Sequence, residues 1–272
     1  MLDFFQYQFI TNSLIAGTIV ATVAPIIGMF LVVKRFSAFS DTIAHTSLVG
    51  IVVGLILKVN PIISAIVTAI VTALSIETVR KNQKNFNDSI LVLFMTGGLG
   101  LSTILISLNK NKGININNYL FGSINTITIN DIWLTLSLTI FVVSAIWLNY
   151  KNLFQSAFDE EMALASKIPV NNINRLFAAL AALVVSISIQ AVGALLISSL
   201  MIIPVLTSLK LKQGFLITMI LSSIFGVISV WLGVTSSFYL NLATGGVIVI
   251  TNILMYIFIS GIMLVRAKLN SK

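Results

Sequence analysis

Residues 10–33 read "ITNSLIAGTIVATVAPIIGMFLVV", a stretch of 24 residues in which no side chain carries a charge. About 20 predominantly apolar residues are enough for a helix to cross the hydrocarbon core of a bilayer. The whole chain of 272 residues has the same character, with 57% hydrophobic and only 9% charged residues. Soluble domains average about 25% charged residues, so the sequence predicts an all-α, polytopic transmembrane helical bundle.

Nine stretches are apolar and long enough to be spans. We predict them at 10–33, 36–57, 61–79, 87–108, 131–149, 175–192, 193–209, 214–234 and 241–265. The sixth and seventh form one uninterrupted run of 35 residues, in which Gly193 is the candidate hinge. The number of spans is therefore nine, or eight if this run is a re-entrant element. No internal repeat or soluble segment interrupts the chain, so residues 1–272 are predicted to form a single transmembrane domain.

Basic residues are distributed unevenly among the predicted loops. When alternate loops are assigned to opposite sides, one side holds Lys58, Lys110 and Lys112, and the other holds Lys34, Arg35, Arg80, Lys81, Lys84, Lys151, Lys167, Arg175, Lys210, Lys212, Arg266, Lys268 and Lys272. Because cytoplasmic loops are enriched in Lys and Arg, we expect the N-terminus outside and the C-terminus in the cytoplasm. No basic run exceeds two residues, so a nucleic-acid partner is not expected.

Asp41 and His45, within "SDTIAHTS" (40–47), lie four residues apart in the second predicted span, and His45 is the only histidine of the chain. In a helix this spacing places both side chains on one face, with Cβ atoms about 6 Å apart. A carboxylate oxygen and an imidazole nitrogen suit divalent ions such as Zn²⁺ or Mn²⁺. Two ligands hold an ion weakly, as a conduction path requires. The alternative is that Asp41 caps the helix and His45 hydrogen-bonds within the bundle.

Three consecutive acidic residues lie in the inner loop 150–174, on the side that is otherwise basic: Asp159, Glu160 and Glu161. Ser156 followed by Asp159 fits an N-cap pattern, which predicts a short helix beginning near residue 157 and ended by Pro169. Apolar residues recur along it at spacings of four and three, at Phe158, Met162 and Ala165. This pattern predicts either a short knob that inserts into a partner's groove or a solvated surface helix.

Two further features have ordinary structural explanations. Residues 97–100 read "GGLG", which lacks the Lys-Ser/Thr ending of a phosphate loop and lies within an apolar span, so we interpret it as a close-packing helix surface. Three other acidic residues lie at the ends of predicted spans, where headgroup water reaches them, and we interpret them as boundary charges: Glu77, Asp88 and Asp131.

Four stretches of the chain resemble, in this order, the signature sequences of the membrane permeases of metal-ion ABC importers, the zinc and manganese uptake family. They are "FLVVKRFSAFSDTIAHTSLVG" (30–50), "YLFGSI" (119–124), "FDEEMALASKIPVNNIN" (158–174) and "AVGALLISSLMIIPVLTS" (191–208). The resemblance implies a permease domain over residues 1–272, similar in fold to the cobalamin and siderophore permeases but with fewer helices. It also implies a multi-pass protein of the bacterial cytoplasmic membrane, in contact with lipid, that forms a homodimer and works with cytoplasmic ATP-binding subunits and an extracytoplasmic metal-binding protein.

The same resemblance implies roles for particular residues. Asp41 and His45 correspond to the family's transient metal site on the translocation path. The family's coupling segment corresponds to residues 155–172, where the implied contacts with the ATPase are Asp159, Glu160, Glu161, Met162 and Ala165. The chain departs from the family after the coupling helix, because it reads Lys167-Ile168 where many relatives carry glycine.

The sequence therefore predicts the pore subunit of an ATP-driven importer of Mn²⁺ or Zn²⁺, in which the ion is transported substrate and no cofactor is bound permanently. We expect no enzymatic activity, since the chain has no nucleotide motif and a partner ATPase would hydrolyse ATP. The alternative is a proton-coupled secondary transporter of divalent cations, in which Asp41 and His45 relay protons. An intramembrane metallohydrolase is disfavoured because one Asp and one His leave it a ligand short.

Overall fold

The computed structural model describes residues 8–82, 87–108, 117–122, 128–194, 196–240 and 242–270. The described backbone forms helices and contains no strand, so the predicted all-α class is confirmed. The helices are α1 (Gln8–Val33), α2 (Ala38–Leu57), α3 (Pro61–Asn82), α4 (Asn87–Leu108), α5 (Asn117–Phe121), α6 (Ile129–Leu148), α7 (Tyr150–Phe158), α8 (Glu160–Ala165), α9 (Val170–Val192), α10 (Ile197–Leu209), α11 (Phe215–Leu240) and α12 (Thr244–Asn270).

Eight helices of the described chain are long and apolar enough to cross a membrane, namely α1, α2, α3, α4, α6, α9, α11 and α12. Helix α9 begins at Val170 and not at the predicted residue 175. Residues 170–174 read "VNNIN", and their asparagines are polar but helical. Hydropathy therefore placed the start of this helix too late.

Gly193 divides the long apolar run as predicted. Helix α9 ends at Val192, and Gly193 follows with φ +97°, a backbone conformation that a residue with a side chain rarely adopts. A Cβ on Gly122 would lie 2.7 Å from the carbonyl carbon of Val192, and the Ala194 N–H donates to the Tyr119 carbonyl at 2.8 Å. The break between the two helices is thus held by close backbone contact with the end of α5.

Helix α10 is a short pass in addition to the eight full-length helices. It starts beside the beginning of α12, because a Cβ on Gly245 would clash with the side chain of Leu196, the N-cap residue of α10. After it ends, the Lys210 Nζ lies 5.4 Å from the centre of the Tyr256 ring, well along α12. Its 13 residues cover about 20 Å. Within the described residues the chain therefore passes through the bundle nine times, eight times by a full-length helix.

Burial separates the inner helices from those on the periphery. In the most apolar 18-residue stretch of each helix, 67% of the residues of α1 and 78% of those of α9 are buried, compared with 11% in α12. Large apolar side chains cover the outer surface of α12, including Ile257, Phe258 and Leu264. An all-round apolar helix with one exposed face is what a lipid environment permits. We name the two ends of the bundle after a residue that lies at each: the Lys34 end, where α1 finishes, and the Gly193 end, where α9 finishes.

Gly28 permits close contact between α1 and α10, and its replacement by alanine is expected to destabilise the fold. A Cβ at this position would clash with the backbone carbonyl of Met201, so the helices would have to separate. Overpacking of this kind costs about 2 kcal/mol. In detergent, Gly28→Ala should lower the melting temperature, whereas Gly97→Ala, whose Cβ meets nothing within 4 Å, should not. Equal melting temperatures for the two variants would contradict the packing.

Candidate functional site

Asp41 lies in the first turns of α2, at the Lys34 end of the bundle, and is not the residue that caps this helix. The N-cap is Ser37, which makes no side-chain capping bond. The neighbouring Ser40 donates its hydroxyl to the Ser37 carbonyl at 3.0 Å. Asp41 therefore lies in the first turn of α2, on the same face as His45. Ser37 and not Asp41 is the N-cap, but the helix dipole still favours a carboxylate at this position.

The face of α2 that carries the pair is the one its own bundle leaves partly uncovered. Asp41, His45, Val49 and Val53, each four residues from the last, are partly exposed. The side chains between them are buried, including Thr42, Ile43, Ala44, Ser47 and Leu48. We call these four residues the α2 stripe. Parts of the Asp41 and His45 side chains are thus exposed at the surface of the chain.

Helices α3 and α4 hold the other faces of α2. The Thr42 hydroxyl donates to the Leu91 carbonyl in α4 at 3.3 Å. A Cβ on Gly98 would lie 2.8 Å from the Thr46 Cγ2, and one on Gly54 would lie 2.9 Å from the Pro61 Cα in α3. Of the "GGLG" glycines, Gly98 therefore packs closely as predicted, whereas a Cβ on Gly97 or Gly100 would meet no described atom within 4 Å, so the prediction was wrong for these two. These contacts fix the rotation of α2 and with it the direction of the stripe.

The Nδ1 atom of His45 is buried and has no hydrogen-bond partner in the part of the chain that the structure describes. An unsatisfied buried polar atom costs about 1–3 kcal/mol and calls for an explanation. The structure does not show this nitrogen bonded within the bundle, which was the alternative to a metal ligand. Among the described residues, no group of three or more His, Cys, Asp or Glu side chains could hold an ion. The described part of one chain therefore brings together two candidate ligands, Asp41 and His45.

The acidic segment folds differently from the sequence prediction. Ser156 lies inside α7, where its hydroxyl donates to the Leu153 carbonyl at 3.1 Å. The helix break comes at Asp159, whose carboxylate accepts the Glu161 and Met162 N–H groups at 2.9 Å each. Helix α8 thus begins at Glu160, not near residue 157, because the carboxylate of Asp159 satisfies two free N–H groups at once.

Helix α8 ends before Pro169, which instead precedes α9. Lys167 has φ +60°, and the Ile168 N–H donates back to the Ala163 carbonyl at 3.0 Å. This is the turn that glycine favours at the end of a helix. Lys167 therefore adopts the helix-ending turn that glycine favours, although lysine carries a side chain.

Glu160 contacts the bundle. Its Oε1 accepts hydrogen bonds from Arg80 Nη2 in α3 at 3.1 Å and from Asn174 Nδ2 in α9 at 2.9 Å. Lys34 Nζ in turn donates to Asn174 Oδ1. These four residues, Lys34, Arg80, Glu160 and Asn174, form what we call the α8 anchor. It ties α8 to α3, to α9 and to the end of α1.

Glu77 is part of the same cluster and is not a solvated boundary charge. It is 9% exposed, and its Oε2 lies 3.2 Å from Arg80 Nε. The spacing of three between Glu77 and Arg80 is one that pairs charges on a helix. The sequence interpretation missed this pair, and it missed Lys34 and Asn174 because nothing local links them to α8.

The charges of the α8 anchor perturb one another. Burial, and next the nearby Arg80, lower the pKa of Lys34 from 10.5 to about 8. Burial alone would raise the pKa of Glu160, but the Asn174 hydrogen bond and the charges of Arg80 and Lys34 outweigh it and lower that pKa. At neutral pH Glu160 is therefore ionised and Lys34 is mostly charged, and Lys34 loses its proton as the pH rises past 8.

The outward side of α8 is exposed and carries two large apolar side chains. Met162 is 72% exposed and Leu164 is 54% exposed, while Ala163 between them is buried. Glu161 and Ala165 are exposed on the same short helix. We call Glu161, Met162, Leu164 and Ala165 the α8 face. Of the predicted knob, Phe158 is exposed but packs on the Phe154 ring at 4.6 Å, and Leu164 was missed.

Comparisons with known proteins match nearly the whole chain. Residues 6–263 match the family described as the ABC 3 transport family. A "Probable metal transport system membrane protein" of Treponema pallidum is 34% identical over 89% of this chain and 90% of its own length. A "Manganese transport system membrane protein MntC" of Halalkalibacterium halodurans is 31% identical over 90% of this chain and 84% of its own. A solved structure, "PsaBC from Streptococcus pneumoniae in complex with Fab", has a TM-score of 0.85 and 29% identity, covering 95% of this chain and 93% of that one.

Proposed function

Because this chain belongs to the ABC 3 transport family, we propose that it is the membrane-spanning pore subunit of an ATP-driven importer of divalent transition-metal ions in the bacterial plasma membrane. The single observation that carries the proposal is the match, over about nine tenths of the chain, to membrane proteins named for metal and manganese transport. A separate ATPase subunit and a substrate-binding protein are the partners of such a permease. In this proposal the α2 stripe supplies the metal ligands, and the α8 face is the surface on which the ATPase docks.

The ion path, in this proposal, runs along the α2 stripe between two copies of the chain. One chain offers the Asp41 carboxylate and the His45 imidazole, and both lie on a face that its own helices leave partly uncovered. A second copy facing it would complete a set of four ligands, two oxygen and two nitrogen. Four ligands of these kinds suit Mn²⁺ and Zn²⁺, whereas Ca²⁺ and Mg²⁺ prefer oxygen alone.

Mn²⁺ is the ion we propose as the main substrate, and Zn²⁺ is its competitor. The support is the name of the relative from Halalkalibacterium halodurans, which refers to manganese. The ligand types accept both ions, so the choice between them depends on geometry and on the protein that delivers the ion. Uptake of Mn²⁺ measured against excess Zn²⁺ would decide between the two.

In the same proposal, the ATPase is coupled to the permease through the α8 face. Met162 and Leu164 are apolar and exposed at a short helix, which fits insertion into a groove of a partner. The predominance of Lys and Arg at the Lys34 end supports placing this end, and the C-terminus, in the cytoplasm. A displacement of α8 would pull on α3 and α9 through the α8 anchor. Because α3 and α9 both pack against α2, rigid-body rocking would expose the metal pair to each side in turn.

Transport by the purified importer in proteoliposomes tests the proposed function. With the ATPase and the metal-binding protein present, we expect Mn²⁺ uptake that requires ATP and continues when a proton uncoupler is added. A proton-coupled secondary transporter would show the reverse, because its uptake collapses with the proton gradient and needs no ATPase. That second result would overturn the proposal.

Reversing the charge of the α8 face is expected to weaken ATPase binding. Glu161→Lys combined with Met162→Ser changes two exposed side chains and leaves Asp159 and Glu160 in their structural roles. Since buried apolar anchors dominate such interfaces, co-purification of the ATPase should fall by about tenfold or more. Asp88→Lys, another exposed acid, is the matched control and should retain the ATPase. If both variants behave alike, the α8 face is not the docking surface.

A further inference from the structure

A basic cavity lies at the Lys34 end, away from both α8 and the α2 stripe. It occupies about 500 Å³ between the α10–α11 turn and the end of α12. Three cationic side chains line it, those of Lys210, Lys212 and Arg266, and its described lining contains no carboxylate. An unbalanced group of cations around a cavity attracts an anion.

The turn that carries two of these cations contains a left-handed residue, as do the turns at Arg35, Lys58 and Lys167. Lys212 has φ +53°, and its N–H donates to the Leu209 carbonyl at 3.1 Å. Left-handed backbone is unfavourable for a residue with a side chain and persists where the surroundings require it. The Lys210 Nζ lies over the Tyr256 ring. The two lysines of the turn are therefore held at the cavity wall.

A buried hydroxyl group in the wall of the same cavity is left without a partner in the described part of the chain. Ser260 lines the cavity, and its Oγ has no hydrogen-bond partner in the described part of the chain. Serine within a helix ordinarily donates to the carbonyl one turn earlier, as Ser208 does to Pro204 at 2.9 Å. Enrichment of basic residues at the cytoplasmic ends of spans explains lysines and arginines in general, but it does not explain this hydroxyl.

Apolar surface surrounds the cationic end of the cavity. Leu264, which lines it, is 67% exposed, and Phe258 and Ile257 continue the apolar surface along α12. A ligand that fits this arrangement has a negatively charged head and hydrocarbon chains. We propose that the cavity is a binding site for an anionic phospholipid, with the phosphate held by Lys210, Lys212, Arg266 and Ser260. The inference depends on the membrane location of the chain and not on which ion it carries.

Lipid binding to the intact importer tests this site. Native mass spectrometry of the purified permease–ATPase complex would compare added phosphatidylglycerol with phosphatidylcholine. We expect phosphatidylglycerol to bind at least about tenfold more tightly. The triple variant Lys210→Gln/Lys212→Gln/Arg266→Gln should lose this preference. Ser260→Ala, which keeps every charge, should weaken phosphatidylglycerol binding by about threefold to tenfold.

Two controls make the result decisive. The triple variant Lys81→Gln/Lys151→Gln/Arg175→Gln removes the same charge from exposed positions outside the cavity and should keep the preference for phosphatidylglycerol. An equal loss in both triple variants would mean that only net charge matters, and retained preference in the cavity variant would exclude the site; either result overturns the inference. Binding of glycerol phosphate or inorganic phosphate as tight as that of the lipid would assign the cavity to a soluble phosphate and overturn the lipid assignment.

Discussion

Replacement of His45 by alanine is expected to reduce metal accumulation by cells by about 100-fold or more, a loss at least as large as that from removing groups that only support a metal ligand. The variant takes away one of the two candidate ligands that each chain contributes, and with it the nitrogen that favours Mn²⁺ or Zn²⁺ over Mg²⁺. Uptake of radioactive manganese by cells that express the complete importer measures the effect. Asp41→Asn, which keeps the size of the side chain and removes its charge, should have a comparable effect.

Val49→Ala is the matched control for His45→Ala. Val49 lies one turn further along the α2 stripe and has the same partial exposure, but it offers no ligand atom. We expect near-normal uptake from it, with the ATPase still co-purifying in all three variants. If His45→Ala lowered uptake no more than Val49→Ala does, the metal role of the pair would be wrong.

Replacement of Glu160 by glutamine is expected to uncouple ATP hydrolysis from transport while the ATPase stays bound. The change leaves Arg80 and Lys34 without the carboxylate that they share through the α8 anchor. Hydrogen bonds to charged groups contribute about 1.5–3 kcal/mol. Because the Glu160 side chain is 38% exposed, we take the lower figure, which corresponds to roughly a tenfold loss of uptake. The number of ions carried per ATP hydrolysed is the measurement.

A double-mutant cycle separates this coupling role from simple destabilisation. Arg80→Gln alone should also lower the number of ions carried per ATP. Every variant that lacks Arg80 also leaves Glu77 without its partner, but the double variant Arg80→Gln/Glu160→Gln removes the Arg80–Glu160 interaction only once, so it should lose less than the two single losses combined. Additive losses, or loss of ATPase binding in Glu160→Gln, would contradict the transmission through this pair.

The passes of the bundle could be predicted from sequence because hydropathy is a local property. Each full-length span is a run of about 20 apolar residues, and Gly193 marked the break in the longest run. Hydropathy does not report that polar residues such as those at 170–174 continue a helix beyond the apolar run. It also could not show that α10 is short, since residues 193–196 are as apolar as the helix that follows them.

The candidate site was predictable where it depends on spacing within one helix. Asp41 and His45 share a face by their separation of four. The direction of that face was not predictable, because it depends on how Gly54 and Gly98 pack against α3 and α4. The predicted start of α8 was wrong for a different reason. Ser156 and Asp159 are both good N-cap residues, and only the folded backbone shows which one receives the free N–H groups.

The α8 anchor could not be predicted from the sequence because its residues are far apart in the chain. Arg80 and Glu160 are separated by 80 residues, and Lys34 and Asn174 by 140. Glu160 was therefore grouped with Glu161, although Glu160 bonds to α3 and α9 while Glu161 is exposed. The spacing of Glu77 and Arg80 was the one available local signal of a charge cluster at this end of α3.

Transport by mixed dimers tests most directly whether two copies of the chain share one metal site. Differently tagged chains, one wild type and one carrying Asp41→Asn/His45→Ala, would be purified together with the ATPase and reconstituted with the metal-binding protein. A shared set of four ligands predicts ATP-driven Mn²⁺ uptake below about one tenth of the wild-type rate, since the ion loses half of its ligands. Uptake at about half of the wild-type rate would mean that each chain conducts independently, and it would contradict the shared site.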